Sequence, residues 1–244
     1  MSTQTVPSVF KRANVCPVPK CTKPSENDYR TISLLPILSK QLERFVRQKW
    51  FANIIPHIDP LQFAFVPRLG QGTSIALSYI QHRILSFLDS PGAVRLLLPD
   101  FTKAFDKVPH SVILTTLRRF HVPQELFNWI ESYLNDKKQR VVVNNNFSQW
   151  TEVTSGVPQG AVLAPFLFAL VIDGLKPKHE NTCLVKYADD ITALHFLRNS
   201  SEIHLNSEFQ HIIDWTVQHG LIINAKKTKL LHIKTRQSIS RETP

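Results

Sequence analysis

The sequence predicts a mixed α/β fold, on three observations. Its 244 residues are 43% hydrophobic, enough to bury a sizeable core as one domain or two closely joined lobes. Apolar positions recur at helical spacing in several stretches, and short apolar runs of strand length lie between them. Two of those runs, "TCLVKY" and "ITALHF", flank the adjacent carboxylates Asp189 and Asp190, the pattern of two short antiparallel strands joined by a tight turn with acid at its tip.

The elements follow in order. Prolines at 17, 19, 24 and 36 break "CPVPKCTKPSENDYRTISLLP", so this stretch reads as an extended basic arm carrying Lys20, Lys23 and Arg30. After Pro36, residues Leu38, Leu42, Phe45, Val46 and Trp50 fall near helical spacing, with the intervening charges on another face. A second helix follows Gly72, with Ile75, Ile80, Ile84 and Leu88 recurring until "DSPG" stops them. "AVRLLLPDF" reads as a buried strand that ends or bulges at Pro99, because proline cannot donate to a ladder; Asp100 then stands at a strand terminus.

Pro109 suits the first turn of a helix through Phe120, and Pro123 that of another through Leu134. The cluster Lys137, Lys138 and Arg140 leads into the strand-like "RVVV", and then comes the loop "SGVPQG". Residues 153–172 carry no charge, yet Gly156, Pro158, Gly160 and Pro165 interrupt them, which favours a buried core helix over a membrane span. A helix over roughly residues 201–219 draws on Ile203, Phe209, Ile212, Ile213 and Trp215, and "GLIINAKKTKLLHIK" closes the ordered part. No internal repeat is present, which excludes solenoids and propellers.

Lys and Arg number 29 against 19 acidic residues, a formal charge of +10 that favours a polyanionic partner such as nucleic acid. No basic run stands beside an apolar anchor, so a membrane partner is not expected. "MSTQTVPSVFKR" lacks the apolar core of a secretory signal, and cytoplasm or nucleus is expected rather than export. Cys16, Cys21 and Cys183 form neither a disulfide framework nor a zinc set. The sequons at Asn146 and Asn199 are then accidental. Nothing calls for an obligate oligomer.

Two ionised carboxylates about 4 Å apart repel by about 4 kcal/mol at an effective dielectric of 20, a cost that a divalent cation removes. On that stretch alone a solvated polar turn is the simpler explanation, since Asp is a common turn former. Asp100 changes the balance, because it too ends an apolar strand. Three aspartates suit Mg²⁺, a hard ion that takes oxygen ligands and shares its shell with substrate phosphates. Two such ions roughly 4 Å apart fit in-line phosphoryl displacement, and the chemistry would be nucleotidyl transfer.

In this order, "LLLPDFTKAFDKVPH", "SGVPQGAVLAPFLF", "YADDITAL" and "GLIINAKKTK" resemble successive palm motifs of reverse transcriptases from non-LTR (LINE-type) retrotransposons, over about residues 15–233. The resemblance implies a right-hand polymerase in which a small antiparallel sheet is backed by helices. Fingers would span 15–91 and return at 122–152; palm would span 92–121 and 153–235; residues 1–14 and 236–244 would be tails. Asp100, Asp189 and Asp190 would hold two Mg²⁺ ions, with Mn²⁺ as the alternative. Phe105 would lie under the incoming sugar and exclude a 2′-hydroxyl. Gln159 would offer its amide to the nucleotide or template, Gly160 would let the backbone approach the nucleotide closely, and Lys20 and Arg30 would hold the triphosphate, Arg30 bidentately. Lys227 would stand near the departing pyrophosphate and donate a proton, with Lys226 and Lys229 close by. Asp106, one residue past the sugar gate, is read as a local helix cap and not as a ligand.

The implied partners are an RNA template, a DNA primer and deoxynucleoside triphosphates. Thr31, Pro99, "GQGTS" and Ala164 depart from the family's usual residues and bear on activity more than on fold. The thumb, endonuclease and zinc-knuckle regions of a full-length element are expected outside this sequence. Two other readings share the motifs: a catalytically inactive retrotransposon relic that binds RNA or hybrid, and an RNA-templated RNA polymerase of palm type.

Overall fold

A computed structural model describes residues 4–25, 28–66, 72–198 and 202–235, with the side chains of 202–204 left aside. In chain order the first elements are β1 (Arg12–Pro19), β2 (Tyr29–Leu34), α1 (Ile37–Trp50), α2 (Thr73–Leu88), β3 (Ala93–Leu98) and the single turn α3 (Ala104–Lys107). Next come α4 (His110–Arg119), α5 (Gln124–Leu134), β4 (Lys138–Val143), β5 (Asn146–Phe147) and β6 (Thr151–Glu152). The chain closes with α6 (Ala164–Asp173), β7 (Thr182–Tyr187), β8 (Asp190–Leu197), α7 (Glu202–Gln218) and β9 (Lys229–Lys234). The expected α/β class is borne out. The tail at 236–244, the sequon at Asn199 and the side chain of Ile203 lie outside the described residues.

Packing divides the chain into two units, Met1–His57 with Phe105–Val171 and Ile58–Ala104 with Ile172–Pro244. These cuts do not coincide with the fingers and palm boundaries given by resemblance, which describe function and not packing.

The first unit carries a five-stranded sheet in the order β2-β1-β4-β5, with β6 also on β4. The stretch read as an extended arm is in fact a paired ribbon: β1 and β2 run antiparallel from Asn14 opposite Leu34 to Pro19 opposite Tyr29. The prolines fit because of the ladder's alternation. Lys20 N–H donates to the Asp28 carbonyl at 2.8 Å, and in that register the bonded pairs fall on even positions of β1. Pro17 and Pro19 occupy non-bonded pairs, so their missing N–H groups leave the ladder intact.

In α1 the buried face is Ser39, Glu43, Val46 and Trp50, while Leu38 is 69% and Phe45 51% exposed. The expectation that charges occupy the other face fails at Glu43. Its Oε2 accepts the backbone N–H groups of Val162 at 2.7 Å and Leu163 at 3.0 Å, donors that stand just before α6 and attract an anion there. That helix is buried: Phe166, Leu167, Phe168, Ala169 and Leu170 are at most 1% exposed. Among the described residues no helix is long and apolar enough to cross a membrane.

Lys137 also departs from expectation. It is 5% exposed, with Nζ 3.4 Å from the centre of the Tyr133 ring, so it is no part of a surface basic cluster. Burial pulls its pKa from 10.5 down to about 7, against the attraction of Glu43. Between those values the unfolded chain binds a proton that the folded one does not, so stability rises with pH there. The expected gain from pH 7 to 10.5 is up to about 4 kcal/mol. Urea denaturation across that range checks it against Lys137→Met, in which this part of the slope should be lost.

The second unit is built on a four-stranded sheet, order β7-β8-β3-β9, antiparallel throughout. Its core joins Val94 and Leu96 of β3, Cys183 and Val185 of β7 and Leu194 of β8 to Ala76 of α2. Tyr79, Ile80 and Ile84 extend the α2 stripe at helical spacing. As expected, β3 ends before Pro99.

A buried ion pair ties β7 to the loop after Ile58. Lys186, 0% exposed, places Nζ 2.8 Å from Asp59 Oδ2, which Lys176 also meets at 3.1 Å. Backbone bonds run alongside, Lys186 N–H to the Leu61 carbonyl at 2.9 Å and Phe63 N–H to the Lys186 carbonyl at 2.8 Å.

Candidate active site

The aspartate pair sits where the sequence placed it. Tyr187 and Asp190 are the last cross-strand pair of the β7–β8 hairpin, leaving Ala188 and Asp189 as a two-residue turn. Ala188 has a φ of +57°, the left-handed conformation that tight hairpin turns require. On the other side of β8, Leu97 of β3 lies opposite Ala193. Carried three residues onward, that register brings Asp100 level with Asp190.

Three carboxylates therefore share one end of the second unit's sheet. Burial raises the Asp189 pKa above its usual 3.8; its own backbone counters this, while the charges of Asp190 and Asp100 add to the rise. Like charges in range of one another on an all-oxygen donor set fit a hard divalent cation. Among the described residues no three His, Cys, Asp or Glu side chains are drawn together closely enough to chelate an ion.

The "NAKKT" turn grips Asp100 by its backbone. Asn224 N–H donates to the Asp100 carbonyl at 2.7 Å, and Asp100 N–H donates to Thr228 Oγ1 at 3.3 Å. Thr228 in turn donates from both N–H and Oγ1 to the Asn224 carbonyl, each at 2.9 Å. Lys226 and Lys227 stand exposed on this turn.

The first unit holds the remaining predicted residues. Phe105 is half-buried and stacks on Phe168, ring centres 4.5 Å apart at 25°, so one face packs while part of the side chain stays accessible. In "SGVPQG" both glycines are required by the chain itself. Gly156 has a φ of +79°, and a Cβ there would lie 2.6 Å from the Asp106 carbonyl oxygen. At Gly160, φ is +117° and a Cβ would lie 2.7 Å from the Ser33 carbonyl oxygen. Gly156→Ala is expected to cost about 1–3 kcal/mol; an unchanged urea midpoint would contradict the close approach.

Asp106 does not cap the following helix: α4 begins after Pro109 with no side-chain cap. Its Oδ1 instead accepts Gln159 Nε2 at 3.1 Å. Sequence reasoning missed this pairing across 53 positions because no local pattern announces it. His110, also unforeseen, donates from Nε2 to the Gly156 carbonyl at 3.0 Å, and its burial lowers its pKa despite that bond. Lys20 and Arg30 are both exposed. Arg30 lies opposite Val18, and Lys20 follows two residues later, so the two cations share one face of the ribbon as diagonal neighbours.

An antiparallel sheet with carboxylates at one end, paired in the chain with an apolar helix behind a Gly-Val-Pro-Gln-Gly loop, defines a palm-type polymerase fold. Residues 18–241 match the family model described as reverse transcriptase (RNA-dependent DNA polymerase), and the chain belongs to that family. It is 31% identical over 242 residues to the RNA-directed DNA polymerase from mobile element jockey of Drosophila melanogaster, covering 91% of this chain and 25% of that protein. The probable RNA-directed DNA polymerase from transposon BS of the same organism is 28% identical over 239 residues, covering 92% and 26%. The chain thus spans about a quarter of the length of the curated relatives it matches. Among solved structures, the apo telomerase of Candida tropicalis truncated from its C-terminal domain superimposes with a TM-score of 0.63 at 12% identity, over 95% of this chain and 52% of that one. That likeness establishes a fingers-and-palm fold. Members of the family use divalent metal ions and a nucleic acid template.

Proposed function

We propose that the chain forms the fingers and palm of an RNA-directed DNA polymerase of a non-LTR retrotransposon. It would extend a primer 3′-hydroxyl on an RNA template with deoxynucleoside triphosphates and release pyrophosphate. The observation that carries this reading is that Asp100, Asp189 and Asp190 stand at one end of the antiparallel sheet, with Asp190 and Asp100 in electrostatic reach of Asp189.

In this reading the three carboxylates hold two Mg²⁺ ions, with Mn²⁺ able to substitute. Bound there, the ion pair supplies Lewis-acid stabilisation of charge on the attacking and leaving oxygens. The other steps belong to side chains. Lys20 and Arg30, on one face of their ribbon, take the triphosphate oxygens. Gln159 offers its amide to the nucleotide beside Gly160, and its bond to Asp106 fixes the side chain's direction. Lys227 gives a proton to the departing pyrophosphate from a turn anchored on the Asp100 backbone. Functionally, residues 15–91 and 122–152 act as fingers, and 92–121 and 153–235 as palm.

Phe105 sets sugar choice by blocking a 2′-hydroxyl. Phe105→Ala is expected to raise ribonucleotide relative to deoxynucleotide incorporation by about 10- to 100-fold, the scale of small steric discriminations. An unchanged ratio would remove the gate, and a wild type that prefers ribonucleotides would make this an RNA-templated RNA polymerase. The reading as a whole is tested by primer extension on an RNA template with and without Mg²⁺. Product only with the metal supports it; binding without product leaves a nucleic-acid-binding relic.

A further inference from the structure

The hairpin from β4 to β6 carries two aromatic side chains on a basic sheet face, and nothing in the proposed chemistry uses them. Asn144 and Asn145, with φ of +47° and +62°, make its turn, the I′-like geometry that matches strand twist. On the return strand, Phe147 lies opposite Val142 but Thr151 lies opposite Gln139. Three steps on β4 therefore face four on its partner, so one extra residue is bulged between Phe147 and Thr151. Ser148 stitches that bulge to Val141, its N–H donating to the carbonyl at 3.0 Å and its Oγ accepting the Val141 N–H at 2.9 Å.

Residues three apart on a regular strand point to opposite faces. The bulge turns Phe147 and Trp150 to the same one. Both rings meet Arg140, whose guanidinium carbon lies 4.1 Å from the Phe147 centre and 4.6 Å from the Trp150 centre. Arg140 Nε donates to Asn14 Oδ1 at 2.9 Å, and Arg12 approaches Trp150 at 5.6 Å. The rings remain open to solvent, Phe147 at 54% and Trp150 at 38%. Lys138 nearby is partly offset by Glu152 at 3.9 Å, so Arg12 and Arg140 dominate the charge beside the rings.

We propose that this face is a stacking platform for single-stranded nucleic acid. Unpaired bases stack on Phe147 and Trp150 while the two guanidinium groups take the adjacent phosphates, the combination that binds single strands with little sequence preference. Charge selects the occupant, because a polyanion with exposed π-faces complements both halves of the surface. The platform draws on the proposed function only for the class of partner, and its test reads binding and not synthesis.

The test uses the 244-residue chain in EDTA without nucleotides, with a fluorescent oligouridylate, an oligodeoxythymidylate of equal length and a blunt duplex. Trp150→Ala and Phe147→Ala are each expected to bind both single strands about tenfold or more weakly and the duplex as wild type does. Arg140→Ala should also flatten the salt dependence for single strands by about 0.7 in log–log slope, whereas Arg140→Lys should not. Trp150→Phe keeps a ring should the alanine variant fail to fold; it should bind like wild type yet lose the tryptophan quenching that the oligonucleotide causes. Unchanged single-strand affinity in folded Trp150→Ala and Phe147→Ala overturns the proposal, leaving the rings as a staple for the hairpin. Equal loss for the duplex overturns it as well, because phosphate contact alone would then account for binding. Failure of Mg²⁺-dependent extension bears on neither outcome.

Discussion

Asp189→Asn is expected to lower Mg²⁺-dependent extension of a primer on RNA by about a thousandfold or more, the equivalent of the several kcal/mol that metal-centred charge stabilisation supplies. The substitution keeps the side chain's shape and removes one negative charge from the turn between β7 and β8. In the absence of metal that charge is a burden, because burial and the neighbouring Asp190 and Asp100 all oppose its ionisation. The same variant should therefore melt at a higher temperature than wild type in EDTA, while Mg²⁺ should raise the melting temperature of wild type more than that of the variant. A purely structural role predicts the opposite pairing, a lower melting temperature with activity lost through unfolding. Extension within tenfold of wild type would contradict the assignment of Asp189.

Asp59→Ala is expected to be the most damaging single change to stability, at about 3–5 kcal/mol, because it strands a buried ammonium. Lys186 is 0% exposed and meets Asp59 at 2.8 Å. Burial depresses the Lys186 pKa, opposed chiefly by the Asp59 charge, so removing the carboxylate removes what keeps the amine protonated. The loss reaches the backbone as well. Asp59 Oδ1 accepts Leu61 N–H at 2.9 Å, a bond alanine cannot make, in the loop alongside β7. A drop of about 10 °C in melting temperature follows for a chain of this size.

Lys186→Met should cost far less, since the buried charge goes and Asp59 keeps Lys176 at 3.1 Å. At the carboxylate, burial works to raise the Asp59 pKa, but the Lys186 charge, with the hydrogen bonds from Lys186, Leu61 and Lys176, holds it below 3.8. Its contribution is therefore complete above pH 3.8 and is lost as pH falls through the lowered value, so wild type and Asp59→Ala should converge in acid. Equal thermal stability at pH 7 would contradict the pair's importance.

Local pattern made much of this fold legible. α2 followed from periodicity, β3 from a short apolar run closed by Pro99, and the β7–β8 hairpin from two strand-like runs around a turn. The aspartates were readable for the same reason, since each stands at the end of a strand whose apolar run marks it. What stayed hidden depends on partners far along the chain. Glu43 is turned inward because the N–H groups before α6, about 120 positions away, need an acceptor. Lys186 is buried because Asp59, 127 positions away, meets it. Gln159 and Asp106 are held together across 53 positions. The β1–β2 ribbon was missed for another reason: proline argues against strand pairing unless its place in the alternation is known, and register is invisible without the partner strand.

Direct ion binding tests the central claim most closely. Titration of Mn²⁺ into the full chain, followed by electron paramagnetic resonance, should show uptake by wild type that Asp100→Asn and Asp189→Asn each weaken by more than the about 10- to 100-fold typical of changes outside the ligand shell. Equal Mn²⁺ affinity in wild type and folded Asp100→Asn would contradict it, and would separate Asp100 from the pair at the hairpin turn.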